Sequence, residues 1–105
     1  QVLGVDAPLV RARALLHAAI DAGATALKLF PAEATNPKVV KAQRAVLPKE
    51  LPLLIVGGVS STNMQPWLDA GANGFGLGSG VYAPGRSAKD SGARAAAYVQ
   101  ALASI

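Results

Sequence analysis

Apolar positions change their period several times along the chain, and each change marks an element. Between Pro8 and Ala22, Leu9, Ala12, Leu16, Ala19 and Ile20 fall at helical spacing. Asp6 is placed to cap that helix, Pro8 suits its first turn, and Gly23 suits a left-handed terminator. Thr25–Phe30 reads as a strand stopped by Pro31, and Asn36-Pro37 as a helix start. Val39, Val40, Val46 and Leu47 form the apolar face of this second helix, which Pro48 ends. Pro52–Val56 is a second strand, apolar at every position after the proline. Such a run suits a parallel strand covered on both faces. Ser60 is expected to cap a third helix reaching Ala70, with Met64, Trp67 and Leu68 inward and Pro66 kinking it. Asn73–Gly78 is a third strand, and Ser87 caps a last helix through Leu102.

One junction occurs twice. Ile20–Lys28, IDAGATALK, and Leu68–Gly76, LDAGANGFG, both end a helix on glycine and turn directly into a strand. Repeated βα units imply a parallel sheet. Three or four of them are too few to close an eight-stranded barrel, so the expected fold is α/β, with residues 1–105 forming the C-terminal half of a (β/α)8 barrel domain. The chain opens Gln-Val-Leu-Gly without methionine, and a portion preceding Gln1 is expected.

Composition narrows the function classes. Apolar residues make up 51% of the 105, enough for a core. No apolar run approaches the roughly 18 residues that cross a membrane, and no charged-then-apolar leader opens the given residues. Without cysteine there is neither disulfide nor thiol chemistry, and a cytoplasmic setting is the expectation. Ten Lys and Arg against six Asp and Glu give a net charge of +4. These cations are scattered and few aromatics interleave them, so neither nucleic acid nor membrane is an expected partner. A small anion is.

Two glycine clusters carry that idea further. Gly57-Gly58 follows the second strand and Gly78-Ser79-Gly80 the third. Glycine lets backbone N–H groups converge on an oxyanion. In barrels of this type a phosphate site is often built from the loops after the last two strands. Either cluster alone could serve packing only.

Lys28 is the odd residue of its strand. Alternation puts Ala26, Lys28 and Phe30 on one face and Thr25, Leu27 and Leu29 on the other. With the leucine face against helices, Lys28 points into the barrel, where enclosure favours the uncharged amine that can attack a ketone. A lysine snorkelling to solvent from a strand end satisfies the same pattern. Glu33 reads equally as a solvated loop residue or an acid-base group. The lone His17 has no orienting partner in the sequence, and no cluster of His, Cys or carboxylates suggests a metal.

ALKLFPAE, VKAQRAVLP, VGGVSSTN, WLDAG and GLGSGVY, in this order and spacing, resemble the C-terminal half of the 2-keto-3-deoxy-6-phosphogluconate/phosphogalactonate aldolases, from about Ala19 to Ala103. The resemblance implies a class I aldolase, a homotrimer of barrels that needs no cofactor or metal and acts on a phosphorylated keto acid. By it, Lys28 is the Schiff-base residue, Phe30 lies beside the pyruvyl portion, and Gly57, Gly58, Gly78 and Ser79 hold the phosphate. Val56, just before Gly57, matches the galactonate type, whereas the gluconate type tends to carry threonine there. The family's acid-base glutamate comes from the N-terminal half, so Glu33 does not take its place, and these residues alone are expected to be inactive. A phosphate-binding barrel without imine chemistry and a non-catalytic sugar-phosphate-binding half-barrel are the alternatives.

Overall fold

A computed structural model describes residues 15–105. The expected Asp6 cap, Pro8, Leu9 and Ala12 lie outside the described residues.

The first described helix, α1, covers 15–21. It is followed by β1 (Leu27–Leu29), a single 3-10 turn (Ala32–Ala34), α2 (Pro37–Arg44), β2 (Leu53–Val56), α3 (Gln65–Asp69), β3 (Gly74–Gly76) and α4 (Ala88–Ala103). The three strands form one sheet in the order β1-β2-β3, and both pairings are parallel. Leu27 lies opposite Leu53, and Leu29, Ile55 and Phe75 form a row across all three strands.

That register sorts the two faces. Leu27, Leu53 and Ile55 are buried in one cluster with Val40 and Leu47 from the second unit, Met64 and Trp67 from the third, and Tyr98 of α4. Burying each large aliphatic side chain is worth about 1.5–3 kcal/mol, so this face holds the helices to the sheet. The opposite face carries Lys28, Leu54 and Gly74 in one row and Val56 beside Gly76 in the next. Among the described residues nothing covers it as the helices cover the first.

Local chemistry sets the helix ends. Asn36 caps α2 by accepting a hydrogen bond from the Val39 amide at 3.1 Å, with Pro37 in the first turn. The Ser87 hydroxyl accepts from the Asp90 amide at 3.0 Å and starts α4 as expected. The repeated junction is the same structure twice. Gly23 (φ 93°) donates to the Ile20 carbonyl and Ala24 to that of Ala19. Gly71 (φ 111°) donates to Leu68 and Ala72 to Trp67. Both are Schellman terminators.

Two expectations are corrected. Val46 does not extend the apolar face of the second helix: α2 ends at Arg44, and Val46 is 41% exposed. Pro48 has no N–H for the Arg44 carbonyl, which instead accepts from Leu47 at 3.3 Å in a tight turn. Nor does Ser60 cap a helix that Pro66 kinks. Helix α3 begins only at Gln65, so Pro66 falls in its first turn, where no amide hydrogen is needed. The residues before it are held otherwise: the Asn63 side chain accepts from the Ser60 amide at 2.9 Å and donates to the Gly58 carbonyl at 3.1 Å. The strands are also shorter than expected, and beyond the start of β3 Asn73 exchanges two hydrogen bonds of 2.8 Å with Leu53.

Candidate active site

Each strand hands the chain to a loop at the same end of the sheet, and three of these loops meet. After β2, Gly57 and Gly58 take φ of +100° and +73°, values that L side chains rarely adopt. Space excludes a side chain as well. A β-carbon on Gly57 would stand 3.1 Å from Pro31 Cα and 3.2 Å from the Ala32 amide nitrogen; one on Gly58 would stand 3.0 Å from Glu33. The loop after β1 therefore rests directly on the glycine pair. After β3, the Gly78 carbonyl accepts from the amides of Val81 (2.9 Å) and Tyr82 (3.0 Å) in a single turn. Arg86 Nη1 secures that turn by donating to the Ser79 carbonyl at 2.6 Å.

Gly78 differs from its neighbours. Its φ is not positive and nothing lies within 4 Å of where a β-carbon would stand. Neither conformation nor packing within the described residues requires glycine here, and the position opens onto a cleft.

The cleft measures about 590 Å³. Phe30, Val56, Gly57, Gly58, Gly78 and Ser79 all line it, so six of the seven site residues expected from the sequence come together. Lys28 is not in the wall. It stands one inward position before Phe30 on β1, exposed on the uncovered sheet face, with its Nζ 5.5 Å from the centre of the Phe30 ring. Such a contact at an exposed site is worth about 0.5–1 kcal/mol and holds the amine beside a ring that lines the cleft. The enclosure expected around Lys28 is not supplied by the described residues.

The wall contains side chains that sequence reading did not bring to the site. Glu33 lies over Gly58, and Arg94 reaches the cleft from α4 while pairing with Asp90 at 3.2 Å. Tyr98 lines it from the same helix. Asn63 shapes it indirectly by holding Gly58. Its Asn-Met-Gln-Pro context was a usable signal, since Asn commonly bonds nearby backbone ahead of a proline-started helix. No group of three or more His, Cys, Asp or Glu residues able to hold a metal occurs among the described residues. His17 is exposed on α1.

No protein-family model matches the chain. Similarity to individual proteins is clear. The similarity is to aldolases: an Escherichia coli (strain K12) protein is 47% identical over 83 residues, 79% of this chain. That relative is named 2-dehydro-3-deoxy-6-phosphogalactonate aldolase, and the solved structure described as native KDPGal superimposes with a TM-score of 0.85 at 42% identity, covering 88% of this chain. A designed cube-shaped, highly porous protein cage made by fusing symmetric oligomeric domains contains a chain that matches equally well, with the same score and identity. The chain spans 40% of the length of the E. coli relative and 45% of the native KDPGal chain. Over the matched stretch it is a relative of the 2-dehydro-3-deoxy-6-phosphogalactonate aldolases in both sequence and fold.

Proposed function

We propose that the complete protein carrying this chain is a class I aldolase that cleaves 2-dehydro-3-deoxy-6-phosphogalactonate to pyruvate and D-glyceraldehyde 3-phosphate, and that residues 1–105 are the C-terminal half of its single (β/α)8 barrel. The observation supporting this reading is that the Lys28 Nζ stands 5.5 Å from the ring centre of Phe30, which lines one cleft together with the two glycine loops. The three parallel βα units and the 47% identity to the E. coli aldolase support it.

Lys28 adds through its neutral amine to the C2 ketone and water leaves, forming a protonated imine. A base removes the C4 hydroxyl proton, the C3–C4 bond breaks, and its electron pair moves into the imine to give an enamine and the aldehyde. Protonation of the enamine at C3 and hydrolysis release pyruvate and the free lysine. Covalent attachment thus supplies an electron sink and avoids a free carbanion. Phe30 packs beside the pyruvyl portion. The distal phosphate sits on Gly57, Gly58, Gly78 and Ser79, where its binding energy orients the reacting end. The base belongs to a part of the barrel outside these residues, and the assembly is a homotrimer, in keeping with the oligomeric setting of the cage neighbour. The absence of cysteine fits a cytoplasmic enzyme, and no described helix is long and apolar enough to cross a membrane.

Treating the complete protein with pyruvate and borohydride tests this. Reduction is expected to fix a pyruvyl adduct on the Lys28 peptide. An adduct on another lysine, with Lys28 unmodified, would remove it from this role.

A further inference from the structure

The geometry points to Tyr98 as a positioning residue that locks the two glycine loops of the phosphate cleft at a fixed spacing, with Gly80 as its socket. Tyr98 is 6% exposed and rises from α4 between the loops. Its hydroxyl donates to the Val59 carbonyl at 2.8 Å, 39 residues away, immediately after the Gly57-Gly58 pair. The same hydroxyl occupies the place where a β-carbon on Gly80 would stand, and Cζ of the ring would be only 3.1 Å from that atom. Gly80 has no positive φ, so backbone conformation does not demand glycine there. Only the tyrosine does. One phenol thus ties the loop after β2 by a hydrogen bond and the loop after β3 by shape. Arg86 anchors that second loop separately through the Ser79 carbonyl.

The consequence for binding is direct. An anion held by amides from both loops needs them at one separation, and a sub-ångström change weakens several hydrogen bonds together. Gly80 therefore serves the tyrosine, whereas Gly78, which neither conformation nor packing within the described residues requires, is left to face the anion. This inference rests on the phosphate reading of the cleft, and the test separates the two.

Inorganic phosphate is titrated into the complete protein, with the amides of Gly57, Gly58, Gly78 and Ser79 followed by NMR. In the parent protein these amides are expected to shift; if they do not, the phosphate reading and this inference both fall. In Tyr98→Phe, loss of the buried hydrogen bond is expected to weaken phosphate binding about fivefold, the equivalent of one such bond. The turnover defect should appear in KM for the phosphorylated substrate more than in kcat. Gly80→Ala, which drives a methyl into the hydroxyl, should weaken binding in the parent background and cost much less in the Tyr98→Phe background. Phosphate affinity unchanged in Tyr98→Phe, with intact parent binding, would overturn the role of Tyr98. Equal, additive effects of Gly80→Ala in both backgrounds would overturn the socket.

Discussion

Val56 leans over Gly76 so closely that a β-carbon on the glycine would stand 2.6 Å from Val56 Cγ2. The two are register partners on the face that carries Lys28, and both line the cleft. Gly76→Ala in the complete protein should therefore lose about 1–3 kcal/mol through overpacking. Adding Val56→Ala should recover part of the loss. Urea denaturation of the single and double variants measures the coupling, and additive losses would show that the two side chains do not compete for this space.

Val56→Thr exchanges a methyl for a hydroxyl at nearly constant volume on a half-buried position. Its stability cost should stay near 1 kcal/mol. If this residue reads the sugar epimer, the ratio of kcat/KM for the galactonate and gluconate substrates moves toward gluconate. An unchanged ratio would assign the choice to other residues.

Asn63→Asp keeps the oxygen that accepts from the Ser60 amide and loses the Nδ2 donor to the Gly58 carbonyl. Weaker phosphate binding is expected, with KM raised several-fold, about the value of one hydrogen bond. Thermal unfolding should move little, because Gly58 and its carbonyl are at the surface. A fall in kcat at unchanged KM would contradict this role.

Lys28→Arg retains a cation beside Phe30 and removes the amine. A guanidinium does not deprotonate in proteins and cannot form the imine. Turnover should fall on the order of 10⁶-fold, as when a covalent nucleophile is removed, with phosphate affinity kept. Substantial aldol cleavage in this variant would refute the Schiff-base role.

Asp90 faces both Arg86 (3.5 Å) and Arg94 (3.2 Å), and its carboxylate is 49% exposed. Exposed pairs of this kind contribute little, so Asp90→Asn should cost under about 1 kcal/mol. The freed Arg94 should tighten phosphate binding slightly at low salt, an effect lost at high ionic strength. A titration at two salt concentrations checks it.

What could be read in the sequence was local. The caps at Asn36 and Ser87 and the terminator at Gly23 depend on residues within about one helical turn, and the structure has them where composition puts them. Alternation in β1 likewise revealed which face meets the helices, whereas the apolar run of β2 reads alike on both faces and suggested a cover on each that the described residues supply on only one. The failures involve competition or distance. Ser60 has good capping chemistry, yet Asn63 satisfies its amide and Pro66 fits best near a helix start, so α3 begins later. The apolar Val46 continues a helical pattern that Pro48 had already closed. Tyr98 reaches Val59 across 39 residues, and no periodicity links them. Gly80 was indistinguishable from the neighbouring cleft glycines because a glycine that opens onto a cleft and one that admits a side chain read alike.

The twin Schellman joints end alike in backbone and differ in what they will accept. Among the described residues nothing lies within 4 Å of where a β-carbon on Gly23 would stand, so there the demand on this joint is its left-handed twist. At Gly71 a β-carbon would lie 2.7 Å from Arg44 Cγ, and that arginine is already committed to the Leu51 carbonyl. One Asp-Ala-Gly-Ala is thus bound by its backbone twist; the other has also been soldered to its neighbour. In a chain assembled from repeated units, divergence meets one constraint at the first joint and two at the second.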